Sequence, residues 1–157
     1  MKNKDHIAFT LGTSNRTLEE FFEILKLNKI ESVVDVRRWP SSKLFPHFEK
    51  QNLKNFLEKQ GINYYHLEKL GGFRENGYQN YTKTKEFQEG LKELIKILSK
   101  SKTAIICAEK LPWKCHRAFI AQKLNEKKIK VFHIINKEKI WNPQATPHQI
   151  KPSCERK

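Results

Sequence analysis

Residues 103–124 read TAIICAEKLPWKCHRAFIAQKL. The run from Thr103 to Cys107 is short, apolar and β-branched, as a buried strand requires, and from Cys115 onward Phe119, Ile120 and Leu124 recur at helical spacing. Between them lies a polar loop that holds Glu109, Pro112 and Trp113. Strand, loop and helix in that order make one βα unit, and the rest of the chain repeats the pattern.

Working outward, four further strands are expected: His6 to Leu11, Ser32 to Arg37, Ile62 to Leu67 and Lys130 to Ile135. Helices are expected from about Leu18 to Asn28, from Leu53 to Gln60 and from about Lys85 to Ser99. Thr17 with Glu20 three residues on forms a capping-box pattern, and Leu18, Phe21, Phe22 and Leu25 share a helical face. On the third helix Phe87, Leu91, Leu94, Ile95 and Leu98 do the same. Gly61 stands where a helix ends, and the stretch 71–77 reads as a loop. The expected fold class is α/β: a single-domain three-layer sandwich with a mostly parallel sheet of about five strands flanked by helices. Residues 1–136 form the domain, and 137–157, rich in Pro, Gln and Lys without periodicity, are expected as an extended C-terminal tail.

A chain of 157 residues suits one domain with its own core. No apolar stretch approaches the roughly 20 residues of a membrane-spanning helix, and the amino terminus lacks a signal-peptide core. Three cysteines, an odd number, argue against a disulfide framework, so a soluble cytoplasmic protein with no membrane partner is expected. Lys and Arg number 31 against 17 acids, a net charge of +14, which makes polyanions the natural partners: nucleic acid, DNA included, or a nucleotide. Oligomeric state is left open.

Parallel α/β sheets bind ligands at the carboxyl ends of their strands. After the first strand come Thr13, Ser14, Asn15 and Arg16, and at the end of the second Asp35, Arg37, Arg38, Ser41 and Ser42. After the fourth come Cys107, Glu109, Cys115, His116 and Arg117. An anion at the start of the last helix would meet free backbone N–H groups, with Arg117 as a bidentate donor or, alternatively, as a structural ion-pair partner of Asp35 or Glu109. Phosphate or substrate binding is therefore expected at Ser14, Asn15, Arg16, Arg37, Ser41, Arg74 and Arg117.

The paired sulfurs admit three readings. Cys115 beside cations at a helix start suits a nucleophile, and Cys107 reads as a small buried hydrophobe. A metal at Cys107, Cys115 and His116 is disfavoured, because three ligands at that spacing match no common zinc pattern, and no cofactor is required by the sequence. Glu109 just past a buried strand is a candidate general acid or base, with His116 and Asp35 as further proton-transfer candidates. Rings among cations, namely Trp39, Phe45, His47, Phe48, Tyr64, Tyr65, His66, Phe73, Tyr78 and Tyr81 with Arg74, are of the kind that stack on bases, although many must be core.

These pieces resemble the family called domain of unknown function 488. The likeness rests on LGTSNR at 11–16, VDVR at 34–37 with Pro40, Ser41 and Ser42, FPHF at 45–48 and LGGFR at 70–74. It continues through Tyr81, Glu86-Phe87, Cys107-Ala108-Glu109, Cys115-His116-Arg117 and His133-Ile134. The family pattern usually carries His where this chain has Thr13. The resemblance implies that the strand-end residues are functional and names no reaction. A more limited likeness to rhodanese-type domains maps Val34 to Arg37, Cys107 and Arg117 onto a thiol enzyme, with a longer loop that carries Pro112 and Trp113.

The expected function is an enzyme acting on a nucleic acid or nucleotide, of repair or hydrolysis type, a hydrolase or lyase on a phosphate-containing substrate. The alternatives are a noncatalytic basic nucleic-acid-binding protein and a rhodanese-like or phosphatase-like thiol enzyme.

Overall fold

The computed structural model describes residues 7–72 and 74–142. Six strands form one sheet: β1 Ile7–Gly12, β2 Ser32–Asp35, β3 Asn63–His66, β4 Thr103–Cys107, β5 Lys130–Asn136 and β6 Lys139–Trp141. Their order is β3-β2-β4-β1-β5-β6, every neighbouring pair being parallel except β5 and β6. The helices are α1 Leu18–Leu27, α2 Lys50–Lys59, α3 Tyr78–Tyr81, α4 Lys85–Leu98 and α5 Arg117–Glu126. No helix of the described residues is long and apolar enough to cross a membrane.

Two apolar layers follow from strand alternation. On β1 Ala8 faces one side, while Phe9 and Leu11 face the other or line the seam; Val34 and Val33 divide likewise on β2, as do Ile105 and Ile106 on β4. One face packs on Phe21, Ile24 and Leu25 of α1 with Leu53 and Leu57 of α2. The other packs on Tyr78 of α3, on Phe87, Leu91 and Leu94 of α4, and on Ile120, Ala121 and Leu124 of α5. Because β2 and β4 are covered on both faces they read as continuous apolar runs. The three-layer α/β sandwich expected from the sequence is therefore the fold.

Helix boundaries have local causes. The Thr17 hydroxyl accepts the Glu20 N–H at 3.0 Å, and the Thr84 hydroxyl accepts that of Phe87 at 3.1 Å, so both α1 and α4 start at a side-chain cap. The fifth helix begins at Arg117, two residues later than expected, because Pro112–Lys114 close a 3-10 turn first. Four residues of the segment after the glycine-rich loop form the short α3.

The sixth strand falls in the segment read as an extended tail. Asn136 turns the chain by accepting the Glu138 N–H on its side chain at 2.9 Å, and Lys139–Trp141 then pair back on β5. Three residues with two exposed positions make too short a pattern to recognise as a strand. Trp141 meets Trp113 edge-on at 5.0 Å, which ties this hairpin to the loop after β4. The remaining tail, 143–157, lies outside the described residues, as do 1–6 and Phe73.

Candidate active site

The sheet order places the site. From β1 the chain moves to β2 and then β3 through α1 and α2 on one face; from β3 it returns to β4 and on to β5 through α4 and α5 on the other. Right-handed crossovers require that change of face when the direction of winding reverses. The chains leaving the adjacent strands β1 and β4 therefore lead to helices on opposite faces, the kind of switch point beside which parallel sheets bind ligands. The strands end level, with Gly12 beside Cys107 and Asp35 beside Ile106. A cleft of about 570 Å³ opens there, walled by Thr13, Ser14 and Asn15, by Arg37, Trp39 and 41–45, and by Cys107, Ala108, Glu109, Cys115 and His116.

Two backbone bonds join the walls: the Thr13 N–H donates to Cys107 O at 2.8 Å and the Ser14 N–H to Ala108 O at 2.9 Å. Ser14 adopts φ 48°, so the chain after β1 turns sharply at the rim. On the β2 side the Ser41 hydroxyl and the Ser42 N–H both donate to Glu49 Oε2, at 3.0 and 2.9 Å, which anchors the serine loop to the start of α2.

Cys115 and His116 form the floor. His116 Nε2 lies 2.9 Å from Val36 O; a carbonyl only accepts, so this nitrogen carries a proton and Nδ1 faces Cys115 Sγ at 3.4 Å. Burial alone would depress the His116 pKa, but the facing sulfur and the Val36 carbonyl raise it above its ordinary value. The Arg117 backbone N–H also reaches Cys115 Sγ, at 3.5 Å. Cys115 is 3% exposed. Cys107 is a different kind of sulfur: its S–H points to Glu109 O at 3.9 Å, and burial together with the neighbouring Cys115 pushes its pKa well up, so it stays a thiol.

Arg117 lies beneath this pair, 0% exposed. Its guanidinium donates to Thr10 Oγ1 at 3.1 Å and to the carbonyls of Glu109 and Lys110 at 2.7 and 3.3 Å, while Nε has no oxygen acceptor. Among the described residues no carboxylate forms an ion pair with it. Burial works against its charge, and the two nearby sulfurs work for it and prevail. By reciprocity the Arg117 charge works toward the thiolate of Cys115, while on Cys107 burial outweighs it. Thr10, which accepts from Arg117, gives its own proton to His133 Nδ1 at 2.6 Å. His133 is thus held neutral: burial first, then the Arg117 charge, lower its pKa to about 3.

Several expectations for individual residues change. Arg117 lies beneath the loop rather than in the cleft wall, its Nη groups held by Thr10 and the carbonyls of Glu109 and Lys110, and the first N–H groups of α5 already bond Cys115 Sγ, Cys115 O and His116 O. Arg16 lies outside the cleft wall, its Nε on Gly12 O at 2.8 Å and its Nη2 on Ile135 O at 2.7 Å. Asp35 is fully buried and locked by Arg37 Nε and Nη2, at 2.9 and 2.7 Å, and by the Tyr64 hydroxyl, so it is a structural carboxylate rather than a proton carrier for the cleft. Arg37 reaches the cleft wall, with two of its donors held by Asp35. Arg74 stands apart in a second depression.

Ser14, Asn15, Ser41 and Glu109 do line the cleft together with Cys115 and His116. Lys43 and Leu44 also line the cleft, and Thr10 joins Arg117 to His133 behind it; a threonine between Phe9 and Leu11 in an apolar strand is the sequence signal for that role. Cys107, Cys115 and His116 share the cleft lining, and both ring nitrogens of His116 are engaged, Nε2 by Val36 O and Nδ1 by Cys115 Sγ.

Two glycines are required by this packing. A Cβ on Gly12 would sit 1.9 Å from Glu109 O, the carbonyl that Arg117 holds. A Cβ on Gly72 would sit 2.9 Å from His116 Nδ1, the nitrogen that faces Cys115.

Fold and site together define a parallel α/β protein with a cysteine-histidine pair at the floor of a strand-end cleft. The chain belongs to the family described as domain of unknown function DUF488, whose pattern matches residues 17–124. No curated protein matches it significantly. Among solved structures it is similar to a Neisseria meningitidis protein described as a "putative phosphatase", at 12% identity and a TM-score of 0.44, over 96% of this chain and 94% of that one.

Proposed function

We propose that the protein is an enzyme that uses Cys115 as a nucleophile, with His116 as its proton partner, on a phosphate-bearing substrate admitted to the cleft. The carrying observation is the approach of His116 Nδ1 to Cys115 Sγ at 3.4 Å, with the tautomer set by Val36 O. Proton transfer from Sγ to Nδ1 gives a thiolate beside an imidazolium, with the Arg117 charge beneath. Attack on phosphorus forms an S–P bond as the P–O bond to the leaving group breaks, and the leaving oxygen takes the Nδ1 proton. Water then attacks phosphorus and loses a proton to Nδ1, and the S–P bond breaks to restore the thiolate. The rim groups Ser14, Asn15 and Lys43 with Arg37 carry donors for phosphate oxygens, whereas the Ser41 proton is given to Glu49.

A second reading makes Glu109 the proton carrier and leaves the sulfur passive; its support is the place of Glu109 in the cleft wall. Substitution separates the two. Against a panel of aryl phosphates, nucleotides and phosphate-terminated oligonucleotides, Cys115→Ser is expected to lower turnover by at least about a thousandfold, and Glu109→Gln by far less. In the same protein iodoacetamide should alkylate Cys115 much faster than Cys107 at neutral pH. Full turnover by Cys115→Ser, or equal sluggishness of both thiols, would overturn the thiol reading, and loss confined to Glu109→Gln would establish the other.

A further inference from the structure

A second polar depression, of about 500 Å³, is lined by Arg38, Arg74, Glu75, Asn76, Gly77, Asn80, Tyr81 and Thr84. It abuts the first, because Trp39 walls the catalytic cleft while Arg38, its chain neighbour, walls the second. The ridge between them is built. The Arg38 backbone rests on Gly71, where a Cβ would come within 2.6 Å of the Arg38 Cα, and Arg74 Nε holds the Gly71 carbonyl at 3.0 Å. On the crest Trp39 is 63% exposed, and the Arg38 guanidinium lies 4.9 Å from its ring centre.

Trp39, more than half exposed and beside the Arg38 cation, is the kind of ring on which a flat base stacks. Arg74 extends the track: its guanidinium lies 4.0 Å over the Tyr81 ring and donates to the Gly71 and Glu68 carbonyls, and no carboxylate pairs with it among the described residues. Two acids temper the depression, Glu75 in its wall and Glu68, whose Oε2 is 3.8 Å from Arg38 Nε. The Asn76 and Asn80 side chains add amide groups of the kind that pair with base edges.

We infer that the substrate is a single-stranded nucleic acid that crosses both depressions, with a phosphate over Cys115, a base stacked on Trp39 and the neighbouring nucleotide at Arg74. This names the substrate class of the reaction proposed above and rests on that reading for the cleavage step alone. The aromatic crest gives the strand its preference over duplex, since paired bases have no free face to offer it. The net charge of +14 supplies the long-range attraction.

Fluorescence anisotropy with labelled twelve-residue single-stranded DNA, the matching RNA and the DNA duplex tests this, using the full chain, Trp39→Ala, Arg74→Gln and Cys115→Ser. Single strands are expected to bind tighter than duplex, with Trp39→Ala weakening them about tenfold and quenching of tryptophan fluorescence lost in that variant. Cys115→Ser should lose turnover yet still prefer single strands over duplex, so that failure of the chemistry is seen apart from failure of substrate choice. A preference for RNA or for DNA identifies which strand is used and supports the proposal either way. Equal affinity for duplex and single strand, or unchanged binding by both Trp39→Ala and Arg74→Gln, would overturn it.

Discussion

At His133 the fold holds a neutral imidazole against Thr10 and the Arg117 charge, with its pKa lowered to about 3 from an ordinary value near 6.5. Between those two values the unfolded chain binds a proton that the folded chain refuses, so stability rises with pH through that window. The contribution is complete above about pH 6.5 and is lost as pH falls toward 3. His116 runs the other way: its raised pKa adds stability below its ordinary value, lost as pH rises through the folded one. Urea titrations at pH 6.5 and 4.5 are expected to lose about 2–3 kcal/mol through His133 over those two pH units, and His133→Asn, which keeps an acceptor for Thr10, should remove that part of the loss. An unchanged pH slope in the variant would show that other groups carry it.

The elements impose their own tests, and the end of β1 is the sharpest. Because the loop after β4 crosses directly over Gly12, with Glu109 O 1.9 Å from where a Cβ would stand, Gly12→Ala must push that loop outward and is expected to cost about 2–3 kcal/mol. Gly61 is the control. It has φ 81° and open space around it, so alanine there costs only backbone strain, about 1 kcal/mol. The cap of α1 is a smaller matter, with Thr17→Ala expected to cost about 1 kcal/mol. All three are read from urea midpoints at constant m, and equal costs for Gly12→Ala and Gly61→Ala would mean that the loop over β1 yields freely.

For the whole molecule the charge of +14 predicts how the proposed association with a single strand responds to salt. The logarithm of the binding constant for a single strand should fall linearly with the logarithm of salt, by about 0.7 for each phosphate neutralised, and Arg74→Gln should flatten that slope by about the same amount. Titrations between low and physiological salt measure it. A slope unaltered in Arg74→Gln would place that arginine off the path of the strand.

Much of this architecture was legible in the chain. Alternating β-branched runs and helical periods mark five strands and the main helices, because a strand covered on both faces must be apolar throughout and a covering helix must carry a stripe. The Thr17 cap and the polar residues after β1, β2 and β4 were likewise readable, since both are local to the sequence, whereas the matching cap at Thr84 emerged only with the helix it starts. Strand order was not, nor the use to which each arginine is put. Arg16 donates to Ile135 O across 119 positions, and Arg117 to Thr10 across 107. Asp35, Arg37 and Tyr64 close a buried cluster that only the β2-β3 pairing assembles. The sequence by itself determined the layers and the set of polar groups gathered at the strand ends, because those follow from periodicity. Tertiary structure alone decided that Arg16, Asp35 and Arg117 stand behind the cleft while Cys115 and His116 face it, because a buried donor is claimed by whichever acceptor the topology brings beside it.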